Sequence, residues 1–534
     1  MLKNKYFKIL IGPFLIFLVS FIFFYPVWFK GLLPIPLDAL VGAHMPWIEI
    51  KWEGYPAGVP IKNQEVTDAI SQFYPWRSLV ADFWRNFEVP LWNKYMLSGM
   101  PFLATLHSAA LYPLNALYLI FNNASAWTIL LFLQVFLSAL FMYFFLNVLG
   151  LGRYPAVFGG IVFSLSGYMV AWLKFATGGQ AGLWLPLLLL FELNLVRKKD
   201  NKYIFMIPFV FFLIYTAGDF QVPFYISVIY VLFGIYLAYF AKTAGKKNIN
   251  FVKILIPWLL GVLLSLPQLL PAIELYGNSI RFDDPYIKEY FFGLMNWRKI
   301  TNFLWPDFYG NVVTRNYWAN YGFHEYLAFT GILSVGFLIY SFLNKKIGYE
   351  KFFWVILLIS FIFLFPTPLA FLPFKLKIPG LGTSSASRII YLADFSIAVI
   401  SAYGFSKWLK NRDTKLFKVF FYLFVITLGV ALGLMISIVI MKKGPSYDEV
   451  TMLINAKVSL KNMIPSALIV IASLFILILN RLKIFKKIKK MNLTNNDTIC
   501  SIGTKLGESA IGIVRLSGSN SIKITEKLFF AASA

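Results

Sequence analysis

Long apolar runs separated by short polar segments dominate the chain from residue 7 to residue 480. An α-helix needs roughly 17–25 predominantly apolar residues to cross a bilayer, and twelve runs come close to that length. They lie at about 7–29, 126–149, 155–173, 181–196, 203–217, 221–240, 252–271, 323–343, 351–366, 388–408, 416–441 and 463–480. The pattern predicts an all-α polytopic membrane protein with about 12 (11–13) transmembrane helices. The shorter stretch 107–121 is predicted to be re-entrant or interfacial. If it were a thirteenth crossing instead, every later helix would cross the membrane in the opposite direction.

The composition narrows the class of protein further. Of the 534 residues, 59% are hydrophobic, 19% are aromatic and 14% are charged, whereas about 25% of the residues of a soluble domain are charged. Together with a mean hydropathy of +0.69, these values exclude a soluble enzyme, a disordered chain and a fibrous repeat. The single cysteine, Cys500, excludes an intrachain disulfide framework and a Cys-ligated zinc or iron–sulfur site.

The formal charge of +25 is distributed unevenly between the two sides of the predicted membrane. With both termini in the cytoplasm, the cytoplasmic segments hold 26 Lys and Arg against 4 Asp and Glu, and the opposite side holds 19 against 17. This asymmetry is the positive-inside pattern. We therefore expect a multi-pass plasma-membrane protein with cytoplasmic termini, whose excess charge faces membrane lipids. No nucleic-acid partner is expected for the membrane domain.

Three polar segments interrupt the apolar rhythm on the predicted outer side. They are L1 (about 30–125), L2 (about 272–322) and L3 (367–387). Connections of this length are uncommon in compact proteins and are often functional. L1 and L2 hold 12 of the 17 acids of the outer side, whereas the inner loops are short and basic. The candidate chemistry therefore lies in these loops and in the adjoining ends of the spans.

One carboxylate and two cations in L1 are the first candidates. Asp38 follows the first span by a few residues, where a carboxylate is able to act as a general base on an acceptor hydroxyl. Arg77 and Lys94 are suitable partners for a donor phosphate. The alternative from spacing alone is structural: Asp38 caps a helix, and Arg77 forms a surface ion pair with Asp68.

L2 and the residues just after it mix cations with aromatic and hydrogen-bonding side chains, which suits sugar binding. The candidate phosphate-binding cations are Arg281 and Arg298, and the candidate sugar- or acceptor-binding residues are His324, Glu325, Trp76 and Trp92. The alternative for this region is a solvated loop with scattered ion pairs.

Ionisable residues within or near spans are costly and often mark a functional pathway. Arg388 and Asp394 lie at the start of the tenth predicted span, and Asp219 lies in the short turn 218–221. Arg388 is a further candidate for binding the donor phosphate, but snorkelling to the interface explains it equally well. Asp219 is also explained as a simple turn residue.

The sequence predicts no metal site built by the protein alone. His44, His107 and His324 share no metal-ligand spacing. A divalent cation held by Asp38 or Asp68 together with a lipid phosphate stays open. The chain contains no Walker loop, no Gly-x-Ser-x-Gly elbow and no dinucleotide fingerprint.

Several phrases within residues 5–480 resemble the bacterial YfhO family of membrane proteins. These phrases are Asp68–Arg77, Pro90–Asn93, Ser98–Pro101 with Leu103 and Ala104, Tyr112–Asn115, Ser166–Trp172, Leu183–Pro186 and Ser387–Phe395. The sequence departs from the family in the turn 218–221, where His is expected in place of Asp219.

The resemblance implies a fold and an activity. The family is similar to GT-C-type glycosyltransferases, which take a sugar from a polyprenyl phosphate at the outer membrane face. It implies an acidic catalytic residue in L1, for which Asp38 is the first choice and Asp68 the second. It also implies a lipid-linked sugar donor and a cell-envelope glycan acceptor. In such a reaction the anomeric carbon is inverted, and the cations named above offset the charge of the departing phosphate.

The composition changes after the membrane domain, 1–490. The tail, 491–534, is polar, and its pattern predicts a strand, a Gly-containing turn, a second strand and a helix near 519–530. The phrases Asp497–Ile499, Gly512–Arg515 and Leu516–Gly518 resemble the start of the tRNA-modifying GTPase MnmE (TrmE). The resemblance implies a domain that binds a folate one-carbon donor and dimerises.

Only about forty residues of that domain are present, without the phosphate loop, and so short a segment rarely builds a core of its own. We interpret the tail as a truncated fusion or a gene-calling join without tRNA-modification activity. A transporter or lipid flippase is the other rival to the glycosyltransferase reading. It would favour internal repeats, and the sequence shows none.

Overall fold

Helices dominate because a helix satisfies its backbone hydrogen bonds within its own segment, as lipid requires. The computed structural model describes residues 2–198, 200–240, 251–279, 282, 293–319, 322–376, 378, 385–441, 447–492, 499–502 and 514–517. Up to the end of L1 the α-helices are α1 (Leu2–Phe23), α2 (Tyr25–Lys30), α3 (Leu37–Ala43), α4 (Tyr74–Arg85) and α5 (Leu117–Ile120). The next eight are α6 (Asn123–Val148), α7 (Arg153–Ser164), α8 (Gly167–Ala171), α9 (Gly178–Gly182), α10 (Leu185–Lys198), α11 (Lys202–Thr216), α12 (Gln221–Ile235) and α13 (Val252–Gly277). The remaining ones are α14 (Ile332–Phe342), α15 (Glu350–Leu364), α16 (Leu372–Lys375), α17 (Ile390–Asn411), α18 (Lys415–Met441) and α19 (Tyr447–Asn492).

Short turns and two hairpins complete the described secondary structure. The 3-10 helices are Trp47–Glu49, Gln64–Val66, Leu106–Ser108, Pro113–Ala116, Leu173–Phe175, Trp297–Phe303, Phe323–Tyr326, Pro368–Phe371 and Ala386–Ile389. The π-helical turns are Ala69–Phe73 and Tyr236–Phe240. The strands β1 (Trp92–Asn93) and β2 (Met100–Pro101) pair antiparallel, and so do β3 (Ile499–Ile502) and β4 (Val514–Ser517).

Every predicted span overlaps a helix or a helix pair. Seven helices of the described chain are long and apolar enough to cross a membrane: Asn123–Val148, Gly178–Arg197, Gln221–Tyr239, Val252–Gly277, Ala386–Asn411, Lys415–Met441 and Val450–Leu482. The number rises to nine with two bent pairs, Arg153–Ser164 with Gly167–Phe175 and Glu350–Leu364 with Pro368–Lys375. Three shorter apolar helices, Leu10–Phe23, Lys202–Thr216 and Ile332–Phe342, fall on the other predicted spans. The protein is mostly helical, with seven or more candidate membrane-crossing helices, and the total of about twelve stays a prediction.

The stretch 107–121 does not form a continuous membrane-crossing helix. It contains part of one 3-10 turn, a second 3-10 turn and the four-residue helix α5. Four helical residues extend about 6 Å, far less than the thickness of a bilayer. The structure therefore gives no support to a thirteenth crossing at this position.

The helix α17 forms the centre of the bundle. Its span is 94% buried inside the protein, whereas the span of α18 is only 11% buried. Gly404 of α17 allows a close approach to α14, because a Cβ atom at this position would lie 2.1 Å from the Phe337 carbonyl oxygen. The helices α18 and α13 present most of their apolar side chains outward, as expected for helices in contact with lipid.

The span that contains α7 and α8 is bent by 45° at the break after Ser164. The Asp394 carboxylate on α17 accepts a hydrogen bond of 3.1 Å from the Tyr168 backbone N–H in the first turn of α8. The Gly167 N–H donates to the Phe329 carbonyl oxygen at 2.8 Å. Asp394, fully buried, therefore stabilises a break in a helix by binding backbone groups that the break leaves free.

Several of the described inner connectors lie close to one another. The Arg197 guanidinium lies 4.8 Å from the Tyr349 ring centroid and donates to the Val148 carbonyl oxygen. Lys407 and Glu350 form a buried ion pair of 2.7 Å. These contacts bring the helix ends at 148, 197, 350 and 407 together, and the side of the membrane that they face stays a prediction.

The tail belongs to a second compact unit. The chain divides into Met1–Val470 and Ile471–Ala534, so the boundary falls inside α19 rather than near residue 490. The pairing of Ile499 with Ser517 and of Ile502 with Val514 confirms the two predicted strands, and the turn predicted between them lies outside the described residues. The helix predicted near 519–530 lies outside the described residues.

Candidate functional site

L1 and the segments that follow L2 and L3 meet through a chain of charged side chains. We call Glu65, His324, Glu325 and Arg388 the loop cluster. His324 Nδ1 lies 2.8 Å from Glu65 Oε2, and His324 Nε2 lies 3.6 Å from Glu325 Oε1. Arg388 Nη2 lies 2.9 Å from the same Glu325 oxygen. Residues separated by more than 300 positions in the sequence therefore form one continuous electrostatic chain.

The loop cluster depends on a helix that begins later than predicted. The eighth span is predicted at 323–343, but α14 begins at Ile332. Residues 323–326 instead form a 3-10 turn after Gly322, whose φ of +96° is accessible mainly to glycine. This turn directs His324 and Glu325 toward L1 and α17, so that neither lies within an apolar span.

Arg388 combines an ion pair with a partly accessible guanidinium group. Its Nε and Nη2 atoms donate to the two carboxylate oxygens of Glu325 at 2.9–3.3 Å. The guanidinium also lies 4.5 Å from the Trp172 ring centroid. Among the described residues, Nη1 has no hydrogen-bond partner, and 26% of the side chain is exposed. Arg388 is therefore oriented by the protein while keeping donors available for an anion.

Glu65 serves as an anchor rather than as a proton acceptor. Its carboxylate accepts hydrogen bonds from the backbone N–H groups of Gly322, Phe323 and His324 and from the His324 ring. Burial alone would raise the pKa of Glu65, but these donors outweigh it and lower the pKa from 4.5 to about 2. A carboxylate held in this way stays ionised and is a weak base.

The substitution Glu65→Gln is expected to lower stability at neutral pH by about 1–2 kcal/mol, because charge-assisted hydrogen bonds are lost. The pKa of Glu65 is lower in the folded state than in the unfolded state, where it is 4.5. The stabilisation is therefore present at pH values above 4.5 and is lost as the pH falls towards the folded-state pKa of about 2. Thermal unfolding of the two proteins in one detergent should therefore differ most at neutral pH and converge in acid. The exposed pair of Asp82 and Arg85 supplies the control, Asp82→Asn, which should have little effect. A difference that does not change with pH would contradict the assignment.

The amines of Lys174 and Lys299 add positive charge near the loop cluster. Lys299 is 6% exposed, and its Nζ lies 3.4 Å from the Tyr326 ring centroid. Burial lowers the pKa of Lys299 to about 8, against the opposing effect of the Glu65 charge. Lys174 interacts electrostatically with Glu65 and Glu325. Three cations therefore surround two carboxylates, which favours the binding of an anion.

Asp68, Asp219 and Arg388 lie near enough to His107 to interact with it electrostatically, and we call these four residues the mouth. Asp68 and His107 are exposed, whereas Asp219 is 3% exposed and its Oδ1 accepts from the Val222 backbone N–H at 2.8 Å. The turn-residue interpretation of Asp219 is therefore confirmed for one of its carboxylate oxygens.

The structure does not place Asp38, the first choice for the catalytic acid, in the loop cluster. Asp38 Oδ2 accepts a hydrogen bond of 2.7 Å from the Lys62 backbone N–H. Its side chain forms no N-terminal cap of α3, so the capping alternative is wrong. Asp38 instead binds the segment that contains Lys62 and, three residues after it, Glu65. This contact supports a role of Asp38 in positioning L1.

Arg77 and Trp76 have buried positions that argue against their predicted contacts with a donor phosphate and a sugar. Arg77 is fully buried. Its guanidinium donates to the Asn115 side-chain oxygen and to the Ala176 carbonyl oxygen, so the predicted surface pair with Asp68 is wrong. Trp76 is 6% exposed, and its Nε1 donates to Met96 Sδ at 3.0 Å. Arg77 therefore ties L1 to the bundle through Ala176, whereas Trp76 packs within L1, in a cluster with Val80 and Phe102.

The remaining predicted residues are exposed or lie outside the described chain. Lys94 is exposed with its Nζ 5.3 Å from the Tyr95 ring centroid, and Trp92 is 53% exposed. Arg298 is exposed and belongs to the same 3-10 helix as Lys299, Trp297–Phe303. No described contact links these three to the loop cluster. Arg281 lies outside the described residues.

An apolar groove begins beside Arg388. It encloses about 890 Å³, part of it open to the outside. Its described walls come from α12, α15, α16 and the start of α17: Phe224, Tyr225, Val228, Ile229, Leu232, Ile356, Ile359, Ser360, Phe363, Leu372, Pro373, Ile378, Ala386, Ile389 and Leu392. Gln221 Nε2 donates to the hydroxyl of Tyr225, one of the lining residues, and to the Ser385 carbonyl oxygen. The lining of the groove is thus almost entirely apolar, and Ala386 and Ile389 bring it close to Arg388 along the chain.

Sequence reasoning missed Glu65, Lys299 and the role of His107. Glu65 precedes Asp68 by one helical turn, and this spacing was an available signal of a shared face. Lys299 and His107 carried no comparable signal, because their partners come from distant segments. Within the described chain, no three His, Cys, Asp or Glu side chains are grouped as a metal site.

No family model matches the sequence, and no curated protein or solved structure matches it.

Proposed function

We propose that the protein is a membrane glycosyltransferase of the GT-C type, which transfers a sugar from a polyprenyl-phosphate donor to a cell-envelope glycan acceptor. The observation that carries the proposal is the position of Arg388. Glu325 of the loop cluster orients its guanidinium, and its neighbours in the chain, Ala386 and Ile389, line the apolar groove. A lipid phosphate requires both features: a long apolar surface for its chain and a cation for its head group.

The groove suits an isoprenoid chain better than a water-soluble ligand. Among its described lining residues, only Tyr225 and Ser360 carry side-chain hydroxyl groups. Most of its wall residues belong to α12, α15 and α17, which overlap predicted membrane spans, and the others belong to L3 and its short helices. Burial of apolar surface contributes about 25 cal/mol per Å², so a chain within the groove gains affinity without any specific polar contact.

The mouth supplies the groups for the acceptor side of the reaction. Asp68, one of the two predicted catalytic carboxylates, is exposed and interacts electrostatically with His107. His107 also interacts with Arg388, so it links Asp68 to the cations of the site. Glu65 and Glu325 are engaged by His324 and Arg388. We therefore assign them to the positioning of the cations, and we draw the proton acceptor from Asp68 and His107.

The proposed reaction is a single displacement. The acceptor oxygen bonds to the anomeric carbon, the bond from that carbon to the phosphate oxygen breaks, and its electron pair leaves with the polyprenyl phosphate. Arg388, supported by Lys174 and Lys299, offsets the charge of the leaving group. Attack opposite the leaving group inverts the anomeric configuration.

The test uses the purified full chain in lipid nanodiscs, a panel of polyprenyl-phosphate hexoses and pentoses, and cell-envelope glycan as acceptor. Release of polyprenyl phosphate with formation of an inverted product is expected for at least one donor. The substitution Ile359→Trp, inside the groove, should raise KM for the donor about tenfold, equivalent to about 1.4 kcal/mol. The matched control is Leu358→Trp on the same helix, since Leu358 is 61% exposed and does not line the groove. No transfer from any donor, or equal effects of the two substitutions, would contradict the proposal.

One observation favours the rival function, a transporter or lipid flippase. Glu192 of α10 is fully buried, and neither of its carboxylate oxygens has a hydrogen-bond partner among the described residues. Buried ionisable groups within spans often belong to ion or proton pathways. Movement of a fluorescent lipid across proteoliposomes that is lost in Glu192→Gln, without any sugar transfer, would favour this function.

The tail does not enter the proposal. Its described part is the single hairpin of β3 and β4. We propose that tRNA modification is not an activity of this chain. Binding of a folate to the full chain that is lost when residues 491–534 are deleted would contradict this view.

A further inference from the structure

One ring nitrogen of His107, Nδ1, is hydrogen-bonded to the backbone, and the other, Nε2, is free to contact solvent. His107 Nδ1 lies 2.8 Å from the Gly218 carbonyl oxygen. Since a carbonyl oxygen only accepts hydrogen bonds, Nδ1 carries the proton, and Nε2 of the neutral ring has a free lone pair. The residue is exposed at the mouth. This is the tautomer and orientation that a general base requires.

The ring is fixed by a network reaching into the protein interior. It packs edge-to-face against Phe73 with ring centroids 5.2 Å apart. The turn that carries it ends at Ala109, whose carbonyl oxygen accepts from the Asn115 amide, and Asn115 in turn accepts from buried Arg77. The cation that the sequence pattern assigned to a phosphate therefore positions the imidazole instead.

The charges around His107 suit a base at neutral pH. The ring is accessible but lies deep in the fold, and this reduced hydration lowers the pKa of His107. The Gly218 carbonyl and the Asp219 and Asp68 charges act in the opposite direction, and Arg388 lowers the pKa further. The imidazole is thus neutral before the reaction, and two carboxylates stabilise the imidazolium once a proton arrives.

We propose that His107, rather than a carboxylate, is the general base of this site. The inference rests on the proposed function. His107 Nε2 takes the proton of the acceptor hydroxyl while the acceptor oxygen bonds to the anomeric carbon. The bond from the anomeric carbon to phosphate breaks, and its electrons leave with the polyprenyl phosphate. The proton on the imidazolium returns to solvent, and Asp68 acts as its charge partner during the step.

The substitution His107→Asn separates catalysis from positioning, because the asparagine amide is able to donate to the Gly218 carbonyl but lacks Nε2. We expect kcat/KM for sugar transfer to fall about 10²–10⁴-fold, with His44→Asn in the same loop as the control that retains activity. Wild-type kcat/KM should fall at acidic pH, where the imidazole is protonated, and His107→Asn should lack this acidic limb. Added imidazole should partly restore His107→Gly.

A second variant tests the proposal without altering His107. In Asp68→Asn the acidic limb should move to lower pH, because a negative charge that favours the imidazolium is removed. Two results obtained with an active wild-type protein would overturn the role of His107 but not the proposed function. One is an acidic limb that does not move in Asp68→Asn, and the other is an acidic limb that persists in His107→Asn. The absence of transfer by the wild-type protein with every donor would overturn the proposed function and this inference together.

Discussion

Arg388→Gln is expected to lower kcat/KM for sugar transfer by about 10²–10³-fold, the effect of removing one oriented donor from a developing negative charge. Arg388 donates through Nε and Nη2 to Glu325 and lies against the Trp172 ring. Glutamine keeps neither the positive charge nor the planar set of donors. Steady-state rates with the donor found active in the nanodisc assay provide the measurement.

Two comparisons separate phosphate binding from a structural effect on Glu325. Arg388→Lys retains the charge and should lose less activity than Arg388→Gln. The double variant Arg388→Gln with Glu325→Gln leaves no unpaired carboxylate and should remain as inactive as Arg388→Gln. Binding of polyprenyl phosphate should weaken in Arg388→Gln, whereas binding of uncharged polyprenol should not change. Equal loss of both ligands, or unchanged transfer, would contradict the assignment of Arg388.

Lys407→Met is expected to destabilise the protein by about 3–5 kcal/mol, because removal of one partner leaves a buried charge unpaired. Lys407 Nζ lies 2.7 Å from Glu350 Oε2, with side-chain exposures of 6% and 0%. Glu350 also accepts from the Ser341 hydroxyl and the Trp354 indole N–H, at 2.6 and 3.2 Å. The fraction of monodisperse protein that remains after heating in detergent, followed by size-exclusion chromatography, measures the loss.

The double variant Lys407→Met with Glu350→Gln should recover part of that stability, since it removes both charges from the interior. Lys410→Met is the matched control, because Lys410 lies three residues further along the same helix and is exposed. If Lys407→Met is as stable as Lys410→Met, the buried pair does not stabilise the bundle.

Charged residues were the hardest to interpret from sequence, as Arg77 and Arg388 show. Both precede or begin helices, and both were candidates for a phosphate. Arg77 is fully buried against Asn115 and Ala176, whereas Arg388 keeps 26% of its side chain exposed. Local sequence contains no information on this difference, because the partners that bury or expose each side chain, such as Asn115 for Arg77 and Trp172 for Arg388, come from distant segments.

Helix positions were easier to predict than helix ends. The apolar run of the eighth span continues through 323–331, but Gly322 and the Glu65 carboxylate draw the backbone of 322–324 into a turn. A hydropathy window averages over such a turn, because Phe323, Tyr326 and Leu327 are as apolar as the helix that follows. The sequence likewise identified the acids of L1 as a group. It did not show which of these acids contacts the loop cluster.

The sequence by itself determined that this protein is helical, with many candidate membrane spans, since the length and period of apolar runs depend only on neighbouring residues. It also determined that the polar chemistry lies in L1, L2 and the segments next to them. Only the tertiary structure decided that Glu65, His324, Glu325 and Arg388 form one cluster beside a groove. The reason is physical: a charge–charge contact depends on distance in space, and hydrophobic packing of the helices brings distant positions together.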